Sequence, residues 1–220
     1  MERCLEPELM NASEQVLAYA AADFSAGDAA TIRQIKALIA RSPAFSEDPL
    51  VLDLGCGPGN ITLLLAEALP QAKVIGIDGA ERMLEMARQR AEDQGLPVHF
   101  LQLDLRQISG LKADLIVSNS LLHHLHDPAM LWSATRRLAG PCCRVLHRDL
   151  RRPDSLEELD RLEQRHLAAA PQILKRDFRA SLAAAFELSE VRAQLQQAQL
   201  CGLEVVEEDD RYLVVSGLVD

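Results

Sequence analysis

Apolar residues along this chain fall into two rhythms. Short, nearly continuous apolar runs occupy residues 50–53, 72–78, 98–103 and 113–118, each closed by polar or turn-forming residues. Runs of this length suit strands buried on both faces, the habit of a parallel sheet. Between them apolar positions recur at helical spacing over 61–69, over 81–94 with Met83, Leu84 and Ala87 facing inward, and over 130–139. Residues 140–147 enter a fifth strand, so strand and helix alternate through five units and predict an α/β sheet. Beyond it the order changes. Residues 155–167 read as a helix with Ser155 as N-cap and Glu157 and Glu158 in its first turn. The segment 174–181 leads into an apolar helix reaching Phe186, and 189–200 forms another, with Gly202 as its C-cap. Two strands, 203–208 and 212–216, close the chain across a turn too short for anything but antiparallel pairing. Ahead of the first strand, 14–22 and 29–40 read as helices broken at 23–28, and Ile32, Ile35, Leu38 and Ile39 supply an apolar face.

The first strand runs into Asp53-Leu-Gly-Cys-Gly-Pro-Gly-Asn60, where glycine occupies every second place. Such a turn lets backbone approach a ligand with no Cβ between them. With Asn60 as N-cap of the next helix, strand, glycine turn and helix N-terminus form a cradle for a nucleotide-like cofactor. A dinucleotide fingerprint wants G-x-G-x-x-G; here the third glycine comes one place early and the sixth place is Asn60. Three strands end in acids: Asp53, Asp78 and Asp104. Ligands of open α/β sheets lie beyond the carboxyl ends of the strands, so the three acids point at one crevice. Asp78 stands where a carboxylate receives ribose hydroxyls, or else caps the following helix, and Asp104 can accept from an exocyclic amino group. His99 reads as a core or edge histidine.

The pattern acid-x-Gly-x-Gly-x-Gly resembles motif I of the class I S-adenosylmethionine (SAM)-dependent methyltransferases. Ser118-Asn-Ser-Leu-Leu-His-His-Leu-His-Asp-Pro128 is similar to motif IV of their small-molecule members and unlike the Asn/Asp-Pro-Pro-Tyr motif of enzymes that methylate amino groups of nucleic acids and proteins. The resemblance covers residues 50–216. It implies a Rossmann-like seven-stranded sheet of order 3-2-1-4-5-7-6, strand 7 antiparallel, with helices on both faces and a small helical lid. The chain is then a single domain, with a helical cap (1–44), a SAM-binding core (45–150), a lid insertion (151–187) and a last helix with closing hairpin (188–220). SAM is the implied cofactor and S-adenosylhomocysteine the product. By this resemblance Asp53, Gly55, Gly57 and Gly59 hold the methionine part, Asp78 the ribose, Asp104 with Leu105 the adenine edge, and Asn119 the sugar or sulfonium side. Cys56, Met83 and Tyr19 complete the implied cofactor contacts; Tyr19 and Phe24 read either as a lid over the cofactor or as plain packing.

Composition narrows the partners. The chain has 220 residues, 48% of them hydrophobic, enough for one core. Its net charge of −10 argues against a nucleic-acid partner. No apolar run has the length of a membrane span, and the N-terminus does not read as a signal peptide, so a cytoplasmic protein is expected. Five cysteines without C-x-x-C spacing fit reduced thiols. His123, His124 and His126 lack an oxygen or sulfur set at ligand spacing, so no metal is expected. Methyl transfer from a sulfonium is an in-line displacement, helped by a base only where the acceptor loses a proton. His123 and His124 are the bases at the crevice mouth, or they cap the next helix. Two basic segments, Arg148/Arg151/Arg152 and Lys175/Arg176/Arg179, suggest a small anionic acceptor met by Arg148, Arg152 and Lys175. Alternatively they are solvated or paired with Asp149, Asp154 and Asp177. Two other classes stay open: a SAM-binding regulator without catalysis, and a nicotinamide-dependent oxidoreductase, which the glycine spacing disfavours.

Overall fold

A computed structural model describes residues 1–8 and 23–219. Strands β1 (Leu50–Leu54), β2 (Lys73–Asp78), β3 (His99–Gln102), β4 (Ala113–Asn119), β5 (Ala139–Leu150), β6 (Leu203–Glu207) and β7 (Tyr212–Val219) form one sheet of order β3-β2-β1-β4-β5-β7-β6. The first five pair in parallel, while β7 runs antiparallel to both β5 and β6. The helices are α1 (Ser25–Ala40), α2 (Asn60–Ala68), α3 (Glu81–Gln94), α4 (Ala129–Leu138), α5 (Leu156–Leu167), α6 (Gln172–Ala184) and α7 (Leu188–Gln197).

The runs of β1, β2 and β4 are mainly apolar because both faces are covered. Along β1, Leu52 and Leu54 pack with Ile75, Ile116, Trp132 of α4 and Leu195 of α7. Val51, one residue before Leu52, points the other way, with Val74, Leu115, Ile35 of α1 and Leu65 of α2. This two-residue alternation turns a continuous apolar run into two cores. Helices α5 and α6 make a smaller third one from Leu159, Leu162 and Leu182 over Leu150.

Several expected boundaries move. Helix α1 begins four residues before 29, so the stretch read as a break supplies its first turn, including Gly27 and the buried Asp28. Strand β5 continues into the first basic segment, because β7 keeps pairing with it as far as Leu150 opposite Tyr212. Asn60 is not an N-cap: Gly59 takes that place at φ 83°, and the Asn60 side chain binds Asp28 and Arg90 instead. Gly202 does not end α7 either; Gln199 turns the chain there at φ 58°. Ser155 does cap α5, its hydroxyl accepting from the Glu158 amide at 3.2 Å. His99 lies exposed on edge strand β3. The expected helix over 14–22, with Tyr19, lies outside the described residues.

Candidate functional site

Beyond the carboxyl ends of β1, β2 and β4 lies a cavity of about 420 Å³, within the range of small-molecule sites. Among the expected residues its wall contains Asp53, Gly55, Cys56, Gly57, Asp78, Met83, Asp104, Leu105, Asn119 and His124. The glycine turn is built for close approach. Both Gly55 (φ 66°) and Gly57 (φ 53°) are left-handed. A Cβ on Gly55 would fall 2.5 Å from Leu121 Cδ1, whereas one on Gly57 would meet nothing within 4 Å. Leu121 therefore seals one side of the turn, and Gly57 leaves open space for a ligand on the other. Gly59 stands behind the wall, against Ala87 and Phe100.

Asp78 ties turn to helix: its carboxylate accepts from the Gly57 and Ala80 amides, both at 2.8 Å. A carboxylate offers about four acceptor positions, so two hydroxyls can still be received there. Burial raises the Asp78 pKa despite those amides. Asp53 is buried beneath the turn with Thr62 Oγ1 donating to it at 2.6 Å, and burial pushes its carboxyl up to about 7. Asp104 sits at the open end. Arg106 grips it through Nε and a terminal guanidinium nitrogen, at 2.8 and 2.7 Å, and its hydrogen bonds pull the carboxyl down to about 2. Asn119 is oriented by Thr31 of α1, whose hydroxyl reaches it at 3.0 Å. These residues fit SAM: open backbone at Gly57, a carboxylate with acceptor positions to spare at Asp78, and a second at Asp104.

The two motif IV histidines part company. His123 is buried and does not border the cavity. Its Nδ1 lies 2.5 Å from Asp149 and its Nε2 3.6 Å from Glu6, so it cannot serve as a base on an acceptor, correcting that expectation. Burial opposes its charge, yet the Asp149 carboxylate outweighs burial and raises its pKa; Asp149 is lowered in return, against its own burial. Asp149 also accepts from the Leu121, Leu122 and Leu150 amides, at 2.8, 2.6 and 2.9 Å, and so shapes the 3-10 turn Leu122–His124. That turn sets His124 on the cavity wall, its Nδ1 3.0 Å from Glu6.

The basic residues do not meet the cavity. Arg148 is buried, its Nε 2.6 Å from Glu208 and its guanidinium 3.5 Å above the Tyr212 ring. Arg152 binds the Ala185 carbonyl, Glu187 and Glu190. Lys175 donates to the Ala168 carbonyl at 2.8 Å. As acceptor-binding residues the three are therefore corrected: acids and carbonyls of the fold engage them, and the pairing alternative holds in part, Arg176 meeting Asp177 while Asp149 serves His123.

Sequence reasoning missed Glu6, Glu8 and Asp28, and gave Asn60 and Asp149 other roles. Glu6 supplies the oxygen that the histidines were expected to lack: one donor atom each of Glu6, His123 and His124 lies within 4.8 Å of the others. Glu8 and Asp28 border the cavity. The only signal for Asp28 was an acid inside an otherwise small-residue segment, and for Glu6 there was none, because contacts across more than a hundred residues leave no periodicity.

Residues 51–149 match the family described as "Methyltransferase domain". A protein of Methylobacterium nodulans named trans-aconitate 2-methyltransferase is 38% identical over 152 residues, 67% of this chain and 53% of that one. Another of that name, from Azoarcus sp. (strain BH72), is 44% identical over 101 residues, 45% of this chain and 38% of its own length. The chain thus spans about half, or less, of the curated relatives it matches. A solved plantazolicin methyltransferase, bound to a triazolic desmethylPZN analog and SAH, superimposes with a TM-score of 0.71 at 13% identity, covering 92% of this chain and 87% of that one. With the matched family, the sheet order and this structural likeness in agreement, the chain belongs to the class I SAM-dependent methyltransferases.

Proposed function

We propose that the protein transfers a methyl group from SAM to a small-molecule acceptor. The observation that carries the reading is one cavity wall containing the open backbone at Gly57, the Asp78 carboxylate, Asp104 and Asn119. SAM supplies a methyl already activated on a sulfonium. The chain's own work is then to bind, align and exclude water. In this reading Asp78 receives the ribose hydroxyls and Asp104 with Leu105 the adenine edge, while Asp53, Gly55, Cys56 and Gly57 border the methionine part, with Met83 and Asn119 flanking. Tyr19 is assigned to the same cofactor. Helices α5 and α6 act as the lid of a single domain.

The relatives' printed name supports a small anionic acceptor. The described wall carries Glu8, Asp28, Asp53, Asp78 and Asp104 but no Lys or Arg, so an anionic group is received by backbone amides. Five free cysteines support a reducing, cytoplasmic setting. Among the described residues no helix is long and apolar enough to cross a membrane. The test is a screen with methyl-labelled SAM against small acids, phenols and amines, trans-aconitate among them. Transfer to a small acid is expected; transfer only to neutral or basic acceptors contradicts the anionic reading, and no transfer with SAM bound favours the non-catalytic alternative.

A further inference from the structure

We propose that Glu6 is a positioning residue: it fixes the proton of His124 on Nδ1 and so presents bare Nε2 to the methyl acceptor. The acceptor part of this inference rests on the function proposed above. His124 borders the cavity, and its buried Nδ1, which makes no hydrogen bond of good geometry, lies 3.0 Å from Glu6 Oε1, an ion-pair distance. With Nδ1 turned to Glu6, Nε2 is the nitrogen left for a ligand.

Glu6 is itself held from several sides. Ser181 Oγ of α6 donates to its two oxygens at 3.2 and 3.3 Å. His123 Nε2, whose ring is engaged by Asp149 at the other nitrogen, approaches it at 3.6 Å. Burial raises the Glu6 pKa, but His124 and His123 outweigh this and lower it, so the carboxylate stays an acceptor. The strap that carries Glu6 is pinned on both sides. Arg3 Nε donates to the Ala184 carbonyl at 2.6 Å and a terminal nitrogen to the Leu125 carbonyl at 3.0 Å, and the His126 amide donates to Glu8 at 2.8 Å. The strap therefore joins α6 to the motif IV turn, and Glu6 lies at that junction between the two histidines. The fixed tautomer has a chemical use: Nε2 accepts a hydrogen bond or a proton from the acceptor, and the resulting imidazolium is balanced by the Glu6 carboxylate.

Long-range ¹H–¹⁵N correlation spectra of the full chain with labelled histidine read the tautomer without any turnover. They are recorded on the free protein and with SAH, the His124 signals being assigned with His124→Gln. The expected wild-type result is a protonated Nδ1 and bare Nε2. Glu6→Met should abolish that preference; Glu6→Gln, which keeps an acceptor oxygen, should restore it. A wild-type ring protonated on Nε2 overturns the inference, as does an unchanged tautomer in a folded Glu6→Met. So does an Nδ1 that carries a metal ion, revealed by spectra that change on adding EDTA. If Glu6→Met fails to fold, the wild-type tautomer and the Glu6→Gln spectrum still decide. Absence of SAH binding in wild type would defeat the proposed function while leaving the free-protein tautomer measured.

Discussion

Asp53 shows how the glycine turn imposes a cost on its own acid. The residue is 1% exposed, and burial lifts its carboxyl from 3.8 to about 7. Between those values the folded protein holds a proton that the unfolded chain has released, so this group's contribution to stability is full below the unfolded pKa and is lost as pH rises through the folded one. At about 1.4 kcal/mol per pH unit, the loss through Asp53 from about pH 5 to about pH 8 is on the order of 2–3 kcal/mol. Asp53→Asn, which removes the titration, should therefore gain relative to wild type across that window. Urea unfolding at both pH values checks it, and parallel curves for the two proteins would refute the burial argument. The same desolvation governs the thiols. Burial drives Cys56 well above its ordinary pKa and Cys143 to about 12, whereas Cys4, Cys142 and Cys201 are exposed. Alkylation of the folded protein should modify the exposed three and spare the buried two until denaturant is added; mass spectrometry showing early labelling of Cys56 would contradict this.

At the scale of elements, the N-terminal strap and strand β5 carry what the sequence left hidden. Arg3 donates to the Ala184, His123 and Leu125 carbonyls and stacks 3.7 Å over the Phe186 ring. Arg3→Ala should cost about 1.5–3 kcal/mol, the range for hydrogen bonds from a charged group. Equal unfolding midpoints and slopes in urea would show the strap to be ornamental to stability. The parallel strands were legible because burial on both faces writes itself as a continuous apolar run, and the glycine turn because alternating glycines break that run at its carboxyl end. Residues 1–8 were illegible because their order comes from carbonyls of distant elements. Likewise Arg148 and Arg152 look like ligand-binding arginines in a linear reading. Only the pairing of β5 with β7 brings Glu208 and Tyr212 onto Arg148, and only the approach of α7 brings Glu187 and Glu190 onto Arg152.

Across the whole molecule the sheet gathers residues from four strand ends and the N-terminal strap around one cavity, and the central claim is that this cavity binds SAM and its product through Asp78. The most direct measurement is a calorimetric titration of the full chain with S-adenosylhomocysteine, repeated with NADH and with Asp78→Ala. One site for S-adenosylhomocysteine and none for NADH is predicted, with Asp78→Ala weaker by roughly 1.5–3 kcal/mol, about 10- to 150-fold. Binding of NADH in place of S-adenosylhomocysteine, or equal S-adenosylhomocysteine affinity in wild type and Asp78→Ala, would contradict the account.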